Sequence, residues 1–159
     1  MSHDEFVFDH DRHKRIGLSE AVLCEGKSSS QVEHVIDLGV SRSEPLLLTR
    51  LSLSAFEALS PRCQDVMDFD EISRTAIIGR HPSTKGPARI AIVSAGSSDL
   101  PVVREASRTL EFHGQQSDII VDVGVAGLWR ILERQDELHS YPAVIVVAGM
   151  DGALFSVVG

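Results

Sequence analysis

Three short runs in the second half of the chain constrain its fold most. Residues 89–94 (RIAIVS), 118–122 (DIIVD) and 143–147 (AVIVV) are almost continuous in apolar, largely β-branched residues. A strand covered on both faces needs that pattern, whereas a half-exposed strand would alternate. Helix-length stretches separate the runs. Ser98 or Asp99 can cap the first, Pro101 suits its first turn, and Gly114 closes it. Val103, Ala106 and Leu110 fall on the inner face of that helix. A second helix is predicted from Gly127 to about Leu138. The order strand, helix, strand, helix, strand calls for a parallel sheet flanked by helices.

Ligands of such sheets bind beyond the carboxyl ends of the strands. Each of the three strands is followed there by a glycine-bearing loop: residues 94–99 (SAGSSD), 122–127 (DVGVAG) and 148–152 (AGMDG). Glycine lets backbone approach a ligand closely. The first loop runs into a helix start, where N–H groups and hydroxyls can hold a phosphate; plain capping by Ser98 and Asp99 explains the same residues equally well. Asp151 sits between glycines after a buried strand. It reads either as a turn aspartate or as a general acid or base whose pKa burial would raise. Trp129 and Arg130 open the second helix and can flank a ring or a phosphate, although a tryptophan is more often a core residue. Neither G-x-G-x-x-G nor G-x-S-x-G occurs, so a dinucleotide fingerprint and a hydrolase triad have little support.

The first half reads as a smaller α/β unit. Ala21 to Cys24 form a short strand, Ser28 or Ser30 caps a helix with Val32, Val35 and Ile36 on one face, and residues 46–49 (LLLT) form a buried strand. Ser54 to Glu57 look like a second capping box, opening a helix that Pro61 ends. Residues 68–71 (DFDE) read as a solvated acidic loop, and residues 75–78 as another strand. Residues 1–17 are expected to be a polar arm. His10 and His13 there, with His3 nearby, have a spacing that could ligate a metal only on a fixed helix. The divisions are therefore an arm at 1–17, a small domain at 18–80, a linker at 81–87 rich in proline and small polar residues, and a second domain at 88–159.

Composition removes several classes. The net charge is −8, shared evenly: ten basic against fourteen acidic residues up to residue 85, five against nine after it. Neither half has the basic excess of a nucleic-acid binder. No apolar run is long enough to cross a membrane, and the start lacks a secretory pattern, so a cytoplasmic protein is expected. Cys24 and Cys63 fit neither a disulfide framework nor a zinc pattern and read as reduced thiols.

The stretches AIVSAGSSDLPV (91–102), DVGVAGLWR (122–130) and VIVVAGMDGAL (144–154) together resemble the PurE-like domain of aminoimidazole ribonucleotide carboxylases. With AVLCEGKSSSQV (21–32), after residues 11–17 (DRHKRIG), the chain is more closely similar to the LarB family of nickel-pincer cofactor carboxylases. The resemblance implies a PurE-like parallel sheet, with only its first three strands present, behind a small α/β domain. It implies carboxylation of the pyridinium ring of nicotinic acid adenine dinucleotide, hydrolysis of its phosphoanhydride, Mg²⁺, and CO₂ or bicarbonate as co-substrate. A homo-oligomer and a nucleotide ligand follow, with no nucleic-acid or membrane partner. Carried over by residue, the substrate-binding positions are Ser94, Gly96, Ser97, Ser98, Asp99, Asp122, Gly124, Val125, Ala126, Gly127, Arg130, Gly149, Met150 and Gly152. Asp151 is the acid/base candidate, and no metal ligand is assigned. The family's catalytic cysteine falls beyond residue 159, so a truncated, inactive chain with an unpaired sheet edge and poor solubility is expected.

Three positions depart from the pattern. Gly96 replaces the first serine of the purine enzymes' G-S-x-S-D, Trp129 stands at the histidine of their S-A-H-R, and Phe155 stands where the LarB family has proline. Two alternatives accompany the main reading: a purine-pathway carboxylase or mutase, which Trp129 opposes, and a non-catalytic nucleotide-binding module.

Overall fold

The computed structural model describes residue 9, residues 11–79 and residues 86–159. The chain divides into two compact units, residues 1–80 and 81–159. His3, His10 and linker residues 81–85 lie outside the described residues.

The first unit opens with α1 (Arg12–Ile16), a helical turn where an irregular arm is expected. Arg15 explains it: its guanidinium donates to both carboxylate oxygens of Asp9, at 2.8 and 2.6 Å, and so closes the segment on itself. Four strands follow, β1 (Ala21–Leu23), β2 (Leu46–Thr49), β3 (Asp68–Asp70) and β4 (Thr75–Ile78). They lie in the order β1-β2-β4-β3. β1 and β2 are parallel, and α2 (Ser29–Arg42) makes the crossover; the other pairings are antiparallel.

Ser28, not Ser30, caps α2. Its Oγ accepts the Gln31 N–H at 3.3 Å, and its own N–H donates to Gln31 Oε1 at 2.9 Å. Val32, Val35, Ile36 and Gly39 are buried, as the helical period requires. Gly39 is needed for another reason: a Cβ there would collide with the Leu46 side chain on β2. Helix and strand meet only because that atom is missing.

Three local expectations are corrected. Ser52, not Ser54, caps α3 (Leu53–Glu57), accepting the Ala55 N–H at 3.2 Å. Pro61 opens α4 (Pro61–Asp65) rather than merely ending its predecessor, since its missing N–H costs nothing at a first helical position. The acidic loop at 68–71 contains strand β3, because Phe69 stacks on Phe56 with ring centroids 4.3 Å apart. That ring anchors a strand whose aspartates gave no hint of one.

α2 holds α4 by two charges. Glu33 accepts the Ser60 N–H at 2.6 Å, and Asp37 pairs with Arg62 at 2.8 Å. The Ser60 N–H keeps the Glu33 carboxyl below its ordinary range.

In the second unit β5 (Ile90–Ser94) is central in the order β6-β5-β7, with β6 (Ser117–Ile120) and β7 (Ala143–Val147) parallel to it on either side. This is the α/β architecture expected, a parallel sheet flanked by helices. α5 (Leu100–Phe112) packs on β5 and β6 and buries Val103 and Phe112 completely. Ala91 and Val93 point into a separate cluster with Ile120, Ile131 and Leu154. The single helix expected from Gly127 to Leu138 is broken in two, α6 (Trp129–Leu132) and α7 (Gln135–His139), because Arg134 leaves the helical region at φ −101°, ψ 4°. α8 (Ala153–Val158) follows β7. No described helix is long and apolar enough to cross a membrane.

Two predictions follow from the first unit. Gly39→Val should destabilise it by about 1–3 kcal/mol through overpacking against Leu46, read in urea unfolding followed by circular dichroism. Glu33 has a folded-state pKa below its unfolded one, so its contribution is present above pH 4.5 and lost as pH falls through the lower folded value. Glu33→Gln should therefore narrow the stability difference between pH 7 and pH 3; an unchanged difference would remove Glu33 from the account.

Candidate functional site

Parallel pairing brings the carboxyl ends of β5, β6 and β7 to one rim, and the loops beyond them are bonded to one another. Ala95 N–H donates to Val147 O at 3.0 Å, Val123 N–H to Ser94 O at 3.0 Å, and Gly124 N–H to Ala95 O at 2.8 Å. The last contact requires glycine, since a Cβ at 124 would lie 2.5 Å from Ala95 O. Between the loops is a cleft of about 270 Å³.

Eight of the expected residues line this cleft: Gly96, Ser98 and Asp99 from the first loop, Gly124, Val125 and Ala126 from the second, Gly149 and Met150 from the third. Met150 is almost fully exposed at the edge. Ser94, Ser97, Asp122, Gly127, Arg130, Asp151 and Gly152 do not line it. Ser94 is fully buried and holds the first loop from beneath, its Oγ donating to Gly96 O at 3.3 Å. Asp122, at the start of the second loop, accepts from Arg130 at 2.7 Å. Four lining residues were missed: Ala95, Ala148, Ala153 and Leu154. Ala95 and Ala148 each directly follow a strand, and that placement was the available signal. Leu154 gives none, because a buried leucine looks like core.

Asp99 does not cap α5 through its side chain. Its Oδ2 instead accepts the Gly96 N–H at 2.9 Å and closes the loop around itself. A carboxylate thus already occupies one of the donors expected to hold an anion. Asp151 also differs from expectation. It is exposed, at φ 56°, so the burial on which its acid/base reading relied is absent. Trp129, expected in the core, is 62% exposed: the face that α6 buries is that of Ile131.

A magnesium ion at such a cleft would be held by one or two carboxylates together with a ligand's phosphates and water, not by a protein cage. Among the described residues no group of three His, Cys, Asp or Glu side chains could hold a metal. Around the cleft, Asp99 is engaged by the loop backbone and Asp122 by Arg130, while Asp151 is not among the lining residues. Cys24 and Cys63 are free and buried, both in the core of the first unit. Burial pushes the Cys24 thiol up to about 11, which suits an inert packed thiol rather than a nucleophile.

The architecture is that of an α/β protein with a loop-built cleft at the sheet's carboxyl rim. Residues 4–80 match the family model of LarB/PurE-like N-terminal domains, which supports the LarB/PurE-like resemblance seen in the sequence. An uncharacterised protein of Methanocaldococcus jannaschii is 32% identical over 165 residues. That similarity covers 98% of this chain, which spans 63% of the relative's length.

The loop contact yields a direct test. Gly124→Ala should push the first and second loops apart, cost about 1–3 kcal/mol in stability, and move the amide resonances of Ala95 and Gly96. Unchanged resonances would show that the two loops are not in register there.

Proposed function

We propose that this chain forms the nucleotide-binding part of a LarB-type carboxylase acting on the pyridinium ring of nicotinic acid adenine dinucleotide in nickel-pincer cofactor biosynthesis. The observation carrying this reading is the convergence of three glycine loops on one cleft, with Ser98 and Asp99 as its polar side chains. A hydroxyl and a carboxylate beside close-approaching backbone suit a ribose diol, while Val125, Ala126 and Met150 offer apolar surface to a flat ring.

The chemistry proposed is covalent. A thiolate adds to the cationic ring, destroys its aromaticity and makes a neighbouring carbon enamine-like. That carbon attacks CO₂ and forms the new carbon–carbon bond. Loss of the ring proton and expulsion of the thiolate restore the pyridinium. Hydrolysis of the phosphoanhydride then releases AMP and the biscarboxylated mononucleotide. Neither Cys24 nor Cys63 is the thiol, since both are packed in the first unit. What this chain's residues do is bind and orient: Asp99 closes the first loop, and Gly124 sets the second against it. Magnesium and CO₂ or bicarbonate belong to the proposal as components supplied from solution. A cytoplasmic setting fits the two free thiols, and the exposed Leu128, Trp129 and Leu132 support a homo-oligomer.

A non-catalytic nucleotide-binding module is the second reading, favoured by the buried cysteines and by Asp151 standing outside the cleft. The purine-enzyme reading is weaker, since exposed Trp129 offers no group for proton transfer where those enzymes have histidine.

Calorimetric titration with the dinucleotide tests the proposal. The 159-residue chain should bind it without carboxylating it, and Asp99→Ala should weaken binding about tenfold through loss of the charge-assisted loop closure. Absence of binding at millimolar ligand would sink the reading; turnover by this chain would overturn the assignment of the thiol.

A further inference from the structure

Asp122 adopts φ 61°, in the left-handed region that few side chains other than asparagine and aspartate enter. The contact made there shows what the turn achieves. Asp122 Oδ2 accepts from Arg130 Nη1 at 2.7 Å. The Arg130 guanidinium also lies close over Gly127, where a Cβ would come within 2.8 Å of Nε. Gly127 directly follows Val125 and Ala126, two lining residues of the cleft. Arg130 is thereby held against the end of the second loop, one residue beyond the cleft-lining Ala126, and is neutralised there by that loop's own carboxylate. No lining residue is basic, and Asp99 adds a negative charge. For an anionic ligand Arg130 is the neighbouring attraction, and Asp122 holds it first.

The pair is built to exchange. It uses one guanidinium nitrogen and one carboxylate oxygen rather than the two-pronged fork. The Asp122 side chain is 57% exposed and that of Arg130 28%. The carboxylate can therefore return to water while the arginine stays packed on the loop. Exposed pairs of this kind are weak, whereas a phosphate brings more charge and several acceptor oxygens. We propose that Asp122 sets the affinity and specificity of the cleft for phosphorylated ligands: its carboxylate occupies the face of Arg130 that a ligand phosphate takes, and binding proceeds by exchange of one anion for the other. This rests on the nucleotide reading above.

The test is a titration of the full 159-residue chain with inorganic phosphate, following the Arg130 Nε–H resonance. Asparagine tolerates the left-handed turn and matches the shape of aspartate, so Asp122→Asn should fold normally. Its phosphate midpoint should fall about threefold, the size that loss of an exposed competing charge allows. The double variant with Arg130→Met should lose the gain, and adenosine, which carries no phosphate, should behave alike with either chain. An unchanged or higher midpoint in Asp122→Asn, or an Arg130 signal insensitive to phosphate in both proteins, would overturn the proposal. If phosphate moves Arg130 while nicotinic acid adenine dinucleotide leaves the Gly96 and Gly124 amides unmoved, the nucleotide reading fails and the exchange at Arg130 stands.

Discussion

The second unit depends on the parallel pairing of β5 with both neighbours. Ile90 stands opposite Ser117 on one side and Ala143 on the other, and the registers then run without a bulge to Ile120 and Val147. All three strands therefore end at the same level. Their loops emerge side by side, close enough for backbone bonds from Ala95 to Val147 and from Gly124 to Ala95. A slip of one residue in either ladder would turn the core-facing side chains outward and separate the loops. The cleft is a product of register before it is a product of any polar residue.

Much of this was legible in sequence. The three apolar runs became β5, β6 and β7 within a residue or two, and β7 matches its predicted bounds. Burial on both faces, which the continuous runs also led one to expect, holds only for the central β5; on the outer strands Ile119 is 43% exposed and β7 is at most half-buried, because each has a neighbour on one side alone. Most of the loop glycines were also visible as cleft candidates, since a glycine after a buried strand has few other uses. The polar side chains were less legible. Asp151 looked buried because its neighbours in sequence are small and apolar, yet the left-handed turn at 151 carries it into solvent. Asp99 looked like a helix cap and is one, but from the third position of the turn at Ser97–Asp99, where its carboxylate reaches back to the Gly96 N–H. At Asp151 the backbone torsion decides where the carboxylate points, and composition does not report torsion.

The first unit shows the same division. The caps and apolar face of α2 follow from local chemistry, so they could be read locally. β3 could not, because its place in the sheet comes from Phe69 meeting Phe56, thirteen residues away in sequence. The two units also use charge differently. In the first, Glu33 and Asp37 fasten one helix to another element. In the second, the carboxylates of Asp99 and Asp122 fasten loops around a space.

The placement of sulfur gives the molecule an internal reporter. Both cysteines lie in the core of the first unit, and the second unit has none. A thiol-reactive dye can reach them only when that core opens, so the rate of labelling measures openings of one half of the chain alone. Comparing it with the rate at which amide protons of β5 exchange would show whether the two halves breathe together or separately.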